Sequence, residues 1–246
     1  MTTEERDEVR ELGWGWRTLA AATAVAMILV GVVIQATSGV VIPPLIVLAV
    51  VFLLGLVLLV TRPRAGAITI GAAAVIMVVA NIPLVAEDLT HPESIWSFLP
   101  AAIAVVGALV GIVVLVGALR RSDDAAVPYV GVLAGVAVLG LFAVAIIQTN
   151  GRPDDARQEG DFGLFAQDTE FVPDTIDSAS GEIGVFIGND DLVRHNFTID
   201  ELAVDEELAS KAFVRFAFEA EPGIYEFHCD IPGHEDMTGT LTVVGG

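Results

Sequence analysis

Five runs of roughly 20 apolar residues fill most of the first 150 positions of this 246-residue chain, at about 17–35, 41–60, 65–86, 97–119 and 128–147. A helix needs about 20 predominantly apolar residues to cross the hydrocarbon layer of a bilayer. Only helices and closed barrels satisfy their backbone polar groups there. The runs are rich in Ala, Val, Leu, Ile and Gly and lack the period-2 alternation of barrel strands. Each therefore predicts a transmembrane helix, giving a helical membrane domain over 17–148. The first run is too long for the apolar core of a signal peptide, lacks a clear cleavage site and precedes four more runs. It is expected to remain as a span.

Arginines mark cytoplasmic loops. Arg6, Arg10 and Arg17 precede or open the first run, Arg62 and Arg64 lie between the second and third, and Arg120 and Arg121 between the fourth and fifth. The alternate loops, Ala36–Val40 and Glu87–Trp96, hold no Lys or Arg. The pattern predicts a cytoplasmic segment at 1–16, five spans, and everything beyond the fifth outside the cytoplasm. Trp14, Trp16, Trp96 and Tyr129 fall near span ends, where aromatic rings favour the membrane interface.

The run interiors contain no Asp, Glu, Lys or His. Proton relays, ion paths and membrane haem ligation need such groups at depth, so the membrane half reads as an anchor or a docking scaffold. Asn81, Pro83 and Pro100 are expected to tune packing. Gly107-x-x-x-Gly111 and Gly131-x-x-x-Gly135 have the spacing that lets helices approach closely.

Charge is concentrated beyond position 150. Residues 151–246 hold 22 Asp/Glu against 5 Lys/Arg, a net of −17 within the chain's total of −20. Such a surface repels nucleic-acid phosphates, which excludes nucleic acid as a partner. It can steer the domain to basic partners, or it can be an adaptation to high salt. The halophile-like composition, acid-rich with a single lysine, fits the second reading as well. Residues 149–163 are polar, contain Gly and Pro and lack apolar periodicity, which reads as a linker.

From about Leu164 to Gly246 the texture changes to short β-branched and aromatic runs. Gly184–Ile187, His195–Ile199, Phe213–Phe218, Gly223–Phe227 and Gly239–Val244 each predict a strand. Asp200–Ser210 predicts a helical turn or an acidic loop. Several short strands within about 80 residues imply a small antiparallel sandwich over 164–246.

The single cysteine, Cys229, cannot form an intrachain disulfide. It is a buried thiol, an intermolecular link, a nucleophile or a ligand. Its surroundings favour the last. Three of the chain's four histidines, His195, His228 and His234, share this small domain with it, and Met237 lies close by. A thiolate, an imidazole and a thioether on one loop between two strands suit a soft, redox-active metal. A second imidazole from a distant strand would complete two His and one Cys in a plane with a weak axial Met, the donor set of an electron-transfer copper site. Structural zinc prefers several Cys and His in tight tetrahedral sets without a thioether.

At these residues the sequence resembles the cupredoxins, the type 1 blue copper proteins of plastocyanin and azurin type. Two motifs within about the last 80 residues carry the resemblance. One is Asn189-Asp-Asp-Leu-Val-Arg-His195-Asn196-Phe197-Thr-Ile199. The other runs from Tyr225-Glu-Phe-His-Cys229 through His234 and Met237 to Gly239-Thr-Leu-Thr-Val243. The resemblance implies a Greek-key sandwich holding one type 1 copper per chain. His195, Cys229 and His234 would be equatorial ligands and Met237 axial, with Asn196 steadying the ligand loop and the Cys sulfur from behind. Two residues, Glu235 and Asp236, separate His234 from Met237, fewer than the resemblance leads one to expect.

His228 neighbours Cys229 on a strand and should face the opposite side. A second, catalytic copper would need further histidines, and His91 is the only one left. The expected function is therefore electron transfer, not catalysis: a membrane-anchored blue copper protein cycling between Cu(I) and Cu(II) on the extracytoplasmic face. Its partner would be a membrane oxidase, a cytochrome or a copper enzyme, and its other contact the lipid bilayer. The alternatives are a nitrite-reductase-like or oxidase-like copper subunit, and a copper-binding or delivery module.

Overall fold

A computed structural model describes residues 12–37, 41–120, 124–150 and 157–245. Most of the expected cytoplasmic segment and positions 151–156 of the expected linker lie outside the described residues. The chain divides into two compact units, one of helices and one that contains the strands.

The helices are α1 (Trp14–Thr37), α2 (Pro43–Thr61), α3 (Pro63–Val79), α4 (Ile82–Thr90), α5 (Ile95–Arg120) and α6 (Val127–Asn150). Prolines open α2 and α3, where a missing N–H costs nothing. Among the described residues, four helices (α1, α2, α5 and α6) are long and apolar enough to cross a membrane. The third run differs from the single continuous helix the sequence predicts. It breaks into α3 and α4, bent by 68°, and makes a fifth candidate span only when the pair is counted together. The break falls at Asn81-Ile-Pro83. Asn81 Nδ2 donates to Met77 O at 2.7 Å, and Pro83 has no amide to continue the ladder. Pro100, by contrast, sits inside an unbroken α5.

Small residues set the helix packing. A Cβ added at Gly111 of α5 would lie 2.9 Å from Ala74 Cβ and 3.1 Å from Gly71 O of α3, so these backbones approach closely there. A Cβ added at Gly131 or Gly135 of α6 would meet no atom within 4 Å among the described residues beyond its own stretch of helix. Trp16 is 2% exposed, with its ring against Gly117 of α5, whereas Trp14 is exposed.

The second unit contains nine strands among the described residues: β1 (Phe162–Gln167), β2 (Glu170–Val172), β3 (Thr175–Ala179), β4 (Gly181–Asn189), β5 (His195–Ile199), β6 (Val204–Leu208), β7 (Phe213–Ala220), β8 (Gly223–His228) and β9 (Thr238–Val244). They form one sheet of order β2-β1-β4-β7 and another of order β3-β9-β8-β5-β6. The sheets are not wholly antiparallel, as the sequence suggested. β1 pairs parallel with β4, and β3 with β9. Both parallel pairs involve strands that short-range patterning did not mark, because such partners are far apart in sequence. β1 also begins at Phe162, inside the expected linker.

Alternate residues of both sheets point into one core. Leu164, Ile183, Val185 and Ile187 come from the first sheet, and Phe197, Ile199, Phe227 and Leu241 from the second. Phe171 of the first sheet stands edge-on to Phe197 and Phe227 of the second, with ring centroids 5.7 and 5.2 Å apart. The acidic stretch expected as a turn or loop contains a short 3-10 turn, Asp200–Leu202, and then edge strand β6. Val204 and Leu208 of β6 are buried while Asp205 is exposed. Charges along an edge strand keep it from pairing with another chain, which explains why so acidic a segment is still a strand.

Candidate metal centre

Three neighbouring strands of one sheet deliver the proposed donors. His195 is the first residue of β5, Cys229 follows the last residue of β8, and Met237 immediately precedes β9. His234 lies in the turn between Cys229 and Met237. Three backbone bonds shape that turn: His234 N–H to Ile231 O at 3.0 Å, Met237 N–H to His234 O at 2.9 Å and Cys229 N–H to Met237 O at 3.0 Å. Gly233, at φ +95°, supplies the left-handed step that turns His234 back toward Cys229.

The result is a compact cluster. Cys229 Sγ lies 3.9 Å from His195 Nδ1 and 3.7 Å from His234 Nδ1. Each of the three residues offers a ligand atom within 4.8 Å of the others. The rings of His195 and His234 stand 4.7 Å apart between centroids. His195 is 0%, Cys229 4% and His234 5% exposed. Met237 is buried in the core shared with Cys229.

Buried polar groups need partners, and those of this site are specific. Asn196 Oδ1 accepts the Asp230 N–H at 2.7 Å, and its Nδ2 donates to Thr198 Oγ1 at 3.0 Å and Asp205 Oδ1 at 3.1 Å. Asn196 thus ties the ligand strand to the loop after Cys229. Burial pushes the Cys229 thiol above its usual range, opposed by the backbone N–H groups of Asn196 and Ile231. Those two amides hydrogen-bond a thiolate, the form that binds metal. Burial also lowers His195 against the opposing Asp191 hydrogen bond, which favours the neutral imidazole that a metal requires. Two imidazole nitrogens and a sulfur gathered out of water, with amides directed at the sulfur, fit a copper ion.

Asp191 is a residue that the sequence did not single out. Its carboxylate accepts His195 Nε2–H at 2.9 Å, leaving Nδ1 to face the cluster. The only signal was a carboxylate four residues before the candidate ligand His195, inside the motif that runs from Asn189 to Ile199. The remaining histidines lie elsewhere: His228 pairs with Asp230 at 3.0 Å and His91 with Glu93 at 2.9 Å. Among the described residues, neither belongs to the cluster.

The family model described as Cupredoxin-like domain matches residues 136–243, reaching back into α6. Solved structures similar to the chain include a Cu(I) form of an amicyanin mutant at 16% identity, covering 36% of this chain and 86% of that one with a TM-score of 0.31. Auracyanin B matches at 19% identity over 36% of this chain and 91% of its own, with a TM-score of 0.32. No curated protein matches the chain in sequence. The chain carries, over residues 136–243, a cupredoxin-like domain.

Proposed function

We propose that this chain is a membrane-anchored type 1 blue copper protein that passes electrons on the extracytoplasmic face of the membrane. The observation that carries the reading is the burial of His195 Nδ1, Cys229 Sγ and His234 Nδ1 around one point. A copper ion bound there supplies the one-electron Cu(I)/Cu(II) couple. The chain's own residues do the rest. His195, Cys229 and His234 would hold the ion through two imidazoles and a thiolate, and Met237, buried in the core beside Cys229, would add a thioether. The bonded turn 229–237 and the Asn196 cross-link hold the donors in one arrangement, so little rearrangement opposes electron movement. Near-complete burial leaves no open position for a substrate, which favours a carrier over a copper enzyme.

Four or five apolar candidate spans support anchoring, and the arginine-rich alternate loops support an external copper domain. A depression of about 270 Å³ beside Cys229 is lined by Glu226, Asp230 and Glu235 as well as His228. Its charge suits a basic face on a membrane oxidase, cytochrome or copper enzyme.

The test uses the full chain in detergent, titrated with Cu(II) and followed by visible absorption, EPR and metal analysis. One copper per chain, an intense thiolate-to-copper band and a small copper hyperfine splitting, all lost in Cys229→Ser, are expected. An ordinary copper spectrum that Cys229→Ser leaves unchanged overturns the reading. Two coppers per chain with turnover of a substrate moves it to a copper enzyme.

A further inference from the structure

Strands β1 and β2 are joined by two residues, Asp168 and Thr169, with Gln167 paired to Glu170 across the turn. Both have positive φ, 55° and 61°, as a type I′ hairpin turn demands. That turn prefers Asn-Gly, and a β-branched Thr in the left-handed region is an outlier. Such conformations persist where surrounding structure over-determines them. Here both turn amides converge on one side chain: Asp168 N–H donates to Asp191 Oδ1 at 3.0 Å and Thr169 N–H to Asp191 Oδ2 at 3.1 Å. The same Oδ2 accepts His195 Nε2–H at 2.9 Å.

Asp191 is held from its other side too. Its N–H donates to Asn189 Oδ1 at 2.8 Å, and Asn189 Nδ2 donates to Val193 O and Leu208 O at 2.8 and 2.9 Å. Its carbonyl accepts the Lys211 N–H at 3.2 Å. The carboxylate is therefore fixed and aimed at one nitrogen of one proposed ligand.

Resting on the electron-carrier reading, we infer that the β1–β2 turn acts through Asp191 as the brace of the copper site. Asp191 is a positioning residue: it places the His195 proton on Nε2, presents Nδ1 to the metal, and lends the ring negative charge that favours Cu(II) over Cu(I). Outer partners of this kind raise the basicity of a ligating imidazole. The turn and the ligand strand belong to different sheets, so the hydrogen bonds also carry the position of one sheet into the metal centre held by the other.

The test compares the copper-loaded full chain with Asp191→Asn, and with Asp161→Asn as a control. Asp161 is a carboxylate of the same domain whose partners are Arg215 and the Gln158 amide. Asp191→Asn should bind Cu(II) 10–100-fold more weakly. A tenfold loss confined to Cu(II) raises the reduction potential by about 59 mV. Asp161→Asn should lower thermal stability without moving the potential. A folded Asp191→Asn with Cu(II) affinity within twofold and potential within about 18 mV of the parent overturns the inference, and so does an equal shift in both variants. Should Asp191→Asn not fold, ¹⁵N-histidine NMR of the parent chain reads the same point. The His195 proton should reside on Nε2; a proton on Nδ1 overturns the brace. The two readings fail separately. A parent chain without the blue band sinks the electron carrier, while the tautomer measurement still judges Asp191.

Discussion

Cys229 Sγ lies 3.7 Å from His234 Nδ1, although the two residues leave one turn only five positions apart. The turn achieves this by bonding its own ends, with the Cys229 N–H to Met237 O and the Met237 N–H to His234 O. The short Glu235–Asp236 spacing is therefore part of a closed and self-bonded unit. It brings Met237 to the base of β9 and into the core beside Cys229.

Replacing that thioether tests its proposed place beneath the ligand plane. Met237→Leu conserves volume and should keep the intense visible band, which belongs to Cys229. It should raise the reduction potential, because a sulfur donor that supports Cu(II) is gone. A tenfold change in relative affinity corresponds to about 59 mV. Voltammetry of the loaded chain checks this, and an unchanged potential places the axial role elsewhere.

Phe197 is the keystone of the sandwich. It is fully buried and touches Phe171, Phe216 and Phe227, drawing both sheets together two residues from His195. Phe197→Ala should cost about 3–5 kcal/mol. Thermal unfolding of the β unit, followed by circular dichroism at the strand signal, should show its midpoint many degrees lower. A loss below about 1 kcal/mol would mean the core closes over the gap.

Asp161 and Arg215 give the domain an acid-sensitive element. Arg215 Nε and Nη2 donate to the two carboxylate oxygens at 2.8 and 3.0 Å. The guanidinium hydrogen bond, aided by the Gln158 amide and opposed by burial, holds Asp161 below its ordinary value. Folding thus favours the charged form. The pair stabilises the domain above the ordinary aspartate pKa of about 4 and loses that contribution as pH falls through the lower folded value. Asp161→Asn should be less stable than the parent at pH 7, and the gap should close below about pH 4. Denaturant unfolding at both pH values measures it.

Lys211 is the chain's one lysine, and it is exposed on the turn before β7. A membrane-impermeant amine reagent applied to intact cells should modify Lys211 and leave the N-terminal amine untouched until the membrane is opened. Mass spectrometry of the recovered chain decides it. Labelling in the reverse order would invert the topology read from the arginines.

Most of the helical half was legible because each run carries its signal locally: about 20 apolar residues declare a span whatever surrounds them. The third run is the exception. It is continuous in hydropathy, yet it bends by 68° where Asn81 caps a carbonyl and Pro83 withholds an amide. Composition does not register such a break, although the two residues that cause it stand in plain view. Trp16 is a similar case, since which residue its ring packs against, here Gly117, depends on which helix lies beside it.

In the β half, the grouping of one thiol and two imidazoles was readable because metal chemistry limits which side chains can serve near strand ends. Strands β1, β2, β3 and β6 were not readable. β1 and β3 gain their pairing from parallel partners far along the chain, β2 is only three residues long, and β6 carries acidic residues on an edge, so their local composition says loop. Asp191 belongs to the same class. Its spacing of four residues from His195 is the one thing that sets it apart from Asp190 beside it. Only the tertiary structure, by carrying the Asp168–Thr169 turn over from another sheet, gives its carboxylate two amides and an imidazole. Sequence alone determined which atoms this protein can offer a metal. The pairing of distant strands decided which groups hold them there, because long-range register is a property of the whole sandwich and of no segment within it.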